Sequence, residues 1–126
     1  MTTKEYRFIK TKFEGIDVYT FPMQIKDLLN IHYIAIRGED VEDGAVQRVL
    51  NKSRIKSIKE FVLDDHMFFN TFIINWTDNE NLPIIERTNL KLFLKETSAQ
   101  VLDGQHRLAG LQAAMEEKPE IGEYYA

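Results

Sequence analysis

Apolar and polar residues alternate from Tyr6 to Phe13, and the pattern resumes from Val18 to Met23 after Gly15-Ile16-Asp17. Alternation predicts half-buried strands, and the glycine-bearing break between them predicts a hairpin turn. Ile25, Leu28 and Leu29 fall at helical spacing, and His32 to Arg37 reads as a β-rich run that ends at Gly38. Ile55, Ile58 and Val62 give an inward stripe to a helix from Ser53 to Leu63, with Ser53 as its expected N-cap. Thr71 to Trp76 predicts a strand and residues 77–81 a loop. Leu82-Pro83-Ile84-Ile85 predicts an edge strand, because Pro83 lacks a backbone donor. Leu90, Leu92 and Leu94 alternate with Lys91, Phe93 and Lys95, and Glu96-Thr97-Ser98 then turns the chain. Ala99, Val101 and Leu102 predict a short buried strand, and Leu108, Leu111 and Met115 a helix behind it. The sum is an α+β domain: a mixed sheet of about five to seven short strands with about three helices.

Composition narrows this picture. The 126 residues, 44% of them apolar, suit a single domain spanning 1–126 with a modest core. A net charge of −4 lacks the basic excess of a protein that grips nucleic acid through phosphates alone, so any DNA contact is local or made elsewhere. The absence of cysteine removes disulfides, thiolate metal sites and cysteine nucleophiles. No apolar run approaches the roughly 18 residues of a membrane span, and Met1-Thr2-Thr3-Lys4-Glu5 does not begin like a signal peptide. A cytoplasmic location is the expectation.

The chemistry concentrates in Asp103-Gly104-Gln105-His106-Arg107, where the strand pattern becomes a helix pattern. Asp103 is the expected N-cap, and Gly104 permits a tight turn. The first turn of a helix leaves backbone N–H groups unpaired and carries the positive end of its dipole, which favours an anion such as phosphate. Arg107 adds a planar fork of donors suited to phosphate oxygens. His106 and Asp103 are candidates for proton transfer, and Asp103 also for a magnesium contact. An uncomplicated strand-to-helix turn, with polar residues facing solvent, is the alternative.

This string, followed by Leu108-Ala109-Gly110-Leu111, resembles the signature of the DGQHR-domain family, which includes the B component of bacterial DNA phosphorothioation systems. It is more distantly similar to the Gly-Glu-Arg-Arg box of ParB-type CTPases and the Asp-Gly-Gln-Gln-Arg box of certain nucleotide-dependent restriction enzymes. Gln47-Arg48 resembles an upstream pair of the same family, and Phe68-Phe69-Asn70-Thr71-Phe72-Ile73-Ile74 resembles its aromatic–Asn–apolar segment. The resemblance implies a ParB/sulfiredoxin-like fold over about residues 17–116, in a chain that is a fragment or core of a longer protein. It implies ligand contacts from Gln47, Arg48, Asn70, Gly104, Gln105 and Arg107, with Asp103 and His106 in catalytic roles and Asp103 as metal contact. ATP or CTP with Mg2+ is the implied ligand and DNA the implied partner, with no membrane. The implied work is DNA modification, defence or transcription control, with NTP hydrolysis left open. A metal-dependent nuclease and a non-catalytic DNA-binding or protein-docking module are the alternatives.

Other polar residues have weaker claims. Arg37 borders a loop, where binding residues concentrate. The acidic stretch Gly38 to Gly44 lacks the alternating spacing of a calcium loop and reads as solvated chain. His32, His66 and His106 fit no zinc spacing.

Overall fold

The computed structural model describes residues 2–34, 51–68 and 71–126. Arg37, the acidic stretch, Gln47, Arg48 and Asn70 lie outside the described residues. The elements, in chain order, are β1 (Thr2–Arg7), β2 (Ile9–Phe13), β3 (Ile16–Thr20), α1 (Ile25–Ile31), β4 (His32–Tyr33) and α2 (Lys52–Leu63). There follow β5 (Ile73–Trp76), β6 (Ile84–Glu86), β7 (Asn89–Leu94), β8 (Ala99–Asp103), α3 (Gln105–Glu117) and a 3-10 turn at Pro119–Glu123. Among the described residues, three α-helices with three small sheets make the fold α+β, as the patterning predicts.

The sheets order as β1-β7-β6, β2-β3 and β4-β8-β5. In the first, β7 buries Leu90, Leu92 and Leu94 on one face while pairing antiparallel with β1 and β6. This is the alternation read from the sequence. In the third, β8 pairs parallel with β4 and antiparallel with β5, and Ala99 and Val101 are buried. The core joins these residues to Ile25, Leu28 and Ile31 of α1, Val62 of α2 and Leu108, Leu111 and Ala114 of α3.

The N-terminal reading needs correction. The stretch from Tyr6 to Phe13 is not one strand: it breaks at Phe8, whose N–H donates to the Thr88 carbonyl. Residues before the break pair with β7, and only Ile9–Phe13 enters the hairpin with Ile16–Thr20. Glu14 and Gly15 form its two-residue loop with φ of +50° and +82°. Both being positive, the turn twists with its strands, and Gly15 carries the left-handed conformation at little steric cost.

The helix caps also differ from expectation. Asn51, not Ser53, caps α2: its Oδ1 accepts from the Arg54 N–H at 3.0 Å. Asp103 does not cap α3, because β8 continues through it and Gly104 takes the cap position instead. α2 and α3 pack against one another, with Gly110 at the closest approach. A Cβ there would overlap the Ile58 side chain and come within 3.3 Å of the Lys59 backbone nitrogen. Gly110 therefore serves the packing of α3 on α2.

Candidate functional site

Gly104 has φ +106° and ψ 17°, a left-handed conformation that lets strand β8 turn into α3 without an intervening loop. It is buried, and a Cβ at this position would lie 2.5 Å from Phe72 Cδ1 and 3.2 Å from Arg107 Nη2. Both backbone conformation and close packing thus require glycine. The first helical bond of α3 runs from the Leu108 N–H to the Gly104 carbonyl at 2.9 Å. Gly104 brings no side chain to cap the N–H groups ahead of Leu108.

Arg107 folds back over the turn. Its guanidinium lies 4.6 Å from the centre of the Phe72 ring, and Nη2 donates to the Thr71 carbonyl at 3.1 Å. Asp103 Oδ2 stands 3.6 Å from the same nitrogen, four residues back along the chain. The Arg107 side chain is only 17% exposed and that of Asp103 65%, so the cation is fixed against the protein while the carboxylate meets solvent. Stacking on an aromatic face suits the weakly hydrated guanidinium and limits its rotamers.

His106 points to α2. Its Nε2 accepts the backbone N–H of Asn51 at 3.0 Å, and Asn51 in turn caps α2. An N–H donor facing Nε2 requires a lone pair there, so the imidazole is neutral with its proton on Nδ1. Partial burial, with the nearby Arg54 guanidinium, holds the His106 pKa below the ordinary histidine value. The motif therefore anchors two elements, residues 71–72 through Arg107 and the start of α2 through His106. Gln105, half-buried, occupies the first position of α3.

The structure thus brings Asp103, Gly104, Gln105, His106 and Arg107 to one turn, while Gln47, Arg48 and Asn70 lie outside the described residues. Among the described residues, no three His, Asp or Glu side chains converge to hold a metal ion. Asn51, the Thr71 carbonyl and the Phe72 ring are parts of the arrangement that sequence reasoning did not assign. Asn51 had a local signal, as an N-cap residue type just before the helix pattern. The contacts of Thr71 and Phe72 are long-range, and the sequence marked only the segment that contains them. His32 donates its Nδ1–H to the Leu29 carbonyl, 2.7 Å away, and His66 stacks on Phe61.

A cavity of about 310 Å³ includes Thr71 and Phe72, the contacts of Arg107, in its lining but none of residues 103–107; residues 18–21, Met23, Leu28, Ile73, Ile74 and Ala126 line the rest. No described helix is long and apolar enough to cross a membrane.

The chain is similar to the SPbeta prophage-derived uncharacterized protein YopQ of Bacillus subtilis (strain 168), at 28% identity over 137 aligned positions. That match takes in 92% of this chain but 29% of the relative, so the chain spans less than a third of the curated protein it matches. No solved structure matches it. Residues 6–124 match the family model DndB, described as DNA-sulfur modification-associated, and with nearly its whole length inside that match the chain belongs to this family.

Proposed function

We propose that this chain is the ligand-binding core of a DNA-phosphorothioation-associated protein, and that the turn from Asp103 to Arg107 holds a nucleotide or another phosphate-bearing ligand. The observation behind this reading is the placement of Arg107, held on Phe72 beside the first turn of α3, so that a fixed cation and the positive end of a helix dipole lie together. A phosphate there would take hydrogen bonds from backbone N–H groups and a charge-assisted contact from the guanidinium. Gln105 would add a neutral donor. Gln47, Arg48 and Asn70 are assigned as further contacts on the family resemblance alone.

One carboxylate plus ligand phosphates is an ordinary donor set for magnesium, and Asp103 is exposed at the turn. It is the residue that would hold Mg2+ with ATP or CTP, and the ion would neutralise phosphate charge. Hydrolysis, where it occurs, would draw on fixed charges and dipoles rather than a covalent intermediate. With Nε2 engaged by Asn51, any proton moved by His106 passes through Nδ1. The setting is DNA modification, defence or transcription control in the cytoplasm, with DNA as a partner of the whole protein.

One contact favours a second reading. Arg107 donates to the Thr71 carbonyl, which is what a structural clasp would do in a non-catalytic DNA-binding or protein-docking module. A thermal-shift titration of ATP, CTP and inorganic triphosphate, with and without Mg2+, separates the two. Binding to the native state raises the melting temperature with ligand concentration. No shift with any of the three, on a protein that Arg107→Ala destabilises, replaces the phosphate reading with the clasp.

A further inference from the structure

The cavity of about 310 Å³ has an unusual lining: residues 18–21 from one side and residues 71–74 from the other, in unbroken succession. Of these, Val18 to Thr20 belong to β3 and Ile73 and Ile74 to β5; successive strand residues point to opposite faces, so a cavity that touches all of them meets the strand edges. Both strands have such an edge available. Among the described residues β3 pairs only with β2, and β5 only with β8. Phe13 and Ile16 flank the two-residue loop, so they form a hydrogen-bonded pair, as do Thr11 with Val18 and Ile9 with Thr20 two positions further. Asp17 and Tyr19 consequently turn their backbone N–H and C=O groups outward, along the open side of the hairpin.

The geometry points to a slot that accepts one extended, apolar peptide strand of a partner protein between β3 and β5. Three features select that occupant. Strand edges that are unpaired among the described residues call for backbone donors and acceptors, which a peptide supplies and an aliphatic ligand does not. Met23 and Leu28 line the slot with Val18, Ile73 and Ile74, without a charged side chain, so a strand bearing Lys or Asp inward would be desolvated without a partner. Extended backbone already enters the cavity: Ala126 lines it, and residues 124–126 pair antiparallel with residues 23–25 through Ala126 N–H to the Met23 carbonyl at 2.8 Å and Ile25 N–H to the Tyr124 carbonyl at 2.8 Å. The hairpin also presents Ile9, Phe13 and Ile16 to solvent on the face it shares with Val18, an apolar margin for side chains leaving the slot. This inference is independent of phosphate binding, although Phe72 touches both sites.

The test uses the whole chain and a fluorescein-labelled, amidated hexapeptide pool in which Val, Ile or Phe alternates with Thr, followed by anisotropy. Saturable binding is expected. It should weaken at least about tenfold when alternate peptide nitrogens are methylated on one edge, and again with Ile73→Lys or Val18→Lys. Ile73 and Val18 are 51% and 37% exposed, so both variants should keep the parent melting temperature. Absence of binding overturns the proposal. So does equal binding of the methylated pool, which would mark a plain apolar pocket, and so does a dimer on size exclusion that the two lysine variants dissolve, which would make the occupant a second copy.

Discussion

His106 Nε2 and the backbone nitrogen of Asn51 are 3.0 Å apart, so a side chain in the first turn of α3 is the hydrogen-bond acceptor for the residue that caps α2. That bond exists only while the imidazole is neutral. The folded-state pKa of His106 is lowered, chiefly by burial and then by Arg54. A lowered histidine pKa means that the unfolded chain binds the proton first. Stability from this group is therefore fully present above the unfolded value of about 6.5 and is lost as pH falls below it toward the folded pKa. Urea unfolding between pH 5 and pH 8 should show stability rising with pH through that window. His106→Gln, whose amide oxygen can still accept from Asn51 but cannot titrate, should flatten that part of the profile. An unchanged profile in the variant would remove His106 as its source.

Tyr6 makes a contrasting case. Its hydroxyl is buried without a hydrogen-bond partner among the described residues, and burial, with the nearby Asp27 carboxylate, pushes its pKa up to about 12. The ring packs on Phe21 with centroids 4.9 Å apart. Tyr6→Phe keeps that packing and deletes an unpaired polar atom, so it should be neutral or stabilise by about 1 kcal/mol in denaturant unfolding. Destabilisation beyond about 1 kcal/mol would mean that the hydroxyl has a partner.

At the α2–α3 crossing, the clash a Cβ would make with Ile58 sets the expectation for Gly110→Ala. Overpacking of this kind costs about 1–3 kcal/mol against a helix propensity gain of up to about 1 kcal/mol. Ile58→Ala should recover part of the loss, so the double variant should unfold less easily than the sum of the single changes implies. Strict additivity would show that the two residues do not meet.

Gly104→Ala meets two obstacles at once, a φ of +106° and a Cβ contact of 2.5 Å with Phe72. A non-glycine residue held in such a conformation costs about 1–3 kcal/mol before any steric term. Phe72→Leu should relieve the steric part only. The melting temperature of Gly104→Ala should therefore stay well below the parent even in the double variant, and full recovery would place the strain in packing alone.

What the sequence disclosed and what it concealed follow from the range of each interaction. β7 was readable because Leu90, Leu92 and Leu94 face the core and their neighbours do not, a pattern carried within six residues. Gly104 was readable as a turn because strand and helix periodicities meet there, leaving no other residue to make the corner. The break at Phe8 was not, since it depends on β1 finding β7 more than eighty residues away while the local alternation runs on unbroken. The cap of α2 fell between Asn51 and Ser53, both good capping residues, and the bond from Asn51 to a histidine 55 positions further on accompanies the one observed. Phe72 offered only its place in an aromatic stretch; that it carries Arg107 on its ring is a tertiary fact.

Arg107 separates the two functions that its contacts suggest. Its bond to the Thr71 carbonyl joins the segment before β5 to α3, and a hydrogen bond to a charged group is worth about 1.5–3 kcal/mol. Arg107→Ala removes that bond and the stacking on Phe72, so it should lower stability by about 1–3 kcal/mol whatever the site binds. Arg107→Lys retains the charge and can reach a carbonyl, but it loses the planar fork and most of the stacking. On the phosphate reading, Lys should restore more of the melting temperature than of nucleotide binding, because a point charge cannot reproduce a two-pronged contact. Titrating ATP and CTP with Mg2+ against the parent and both variants, with each variant's melting temperature measured alongside, gives both quantities. If Arg107→Lys recovers stability while binding stays at the Arg107→Ala level, the guanidinium is a ligand contact. If nucleotide binding is the same in all three proteins once folding is accounted for, Arg107 is a clasp between Thr71 and α3 and the phosphate lies elsewhere.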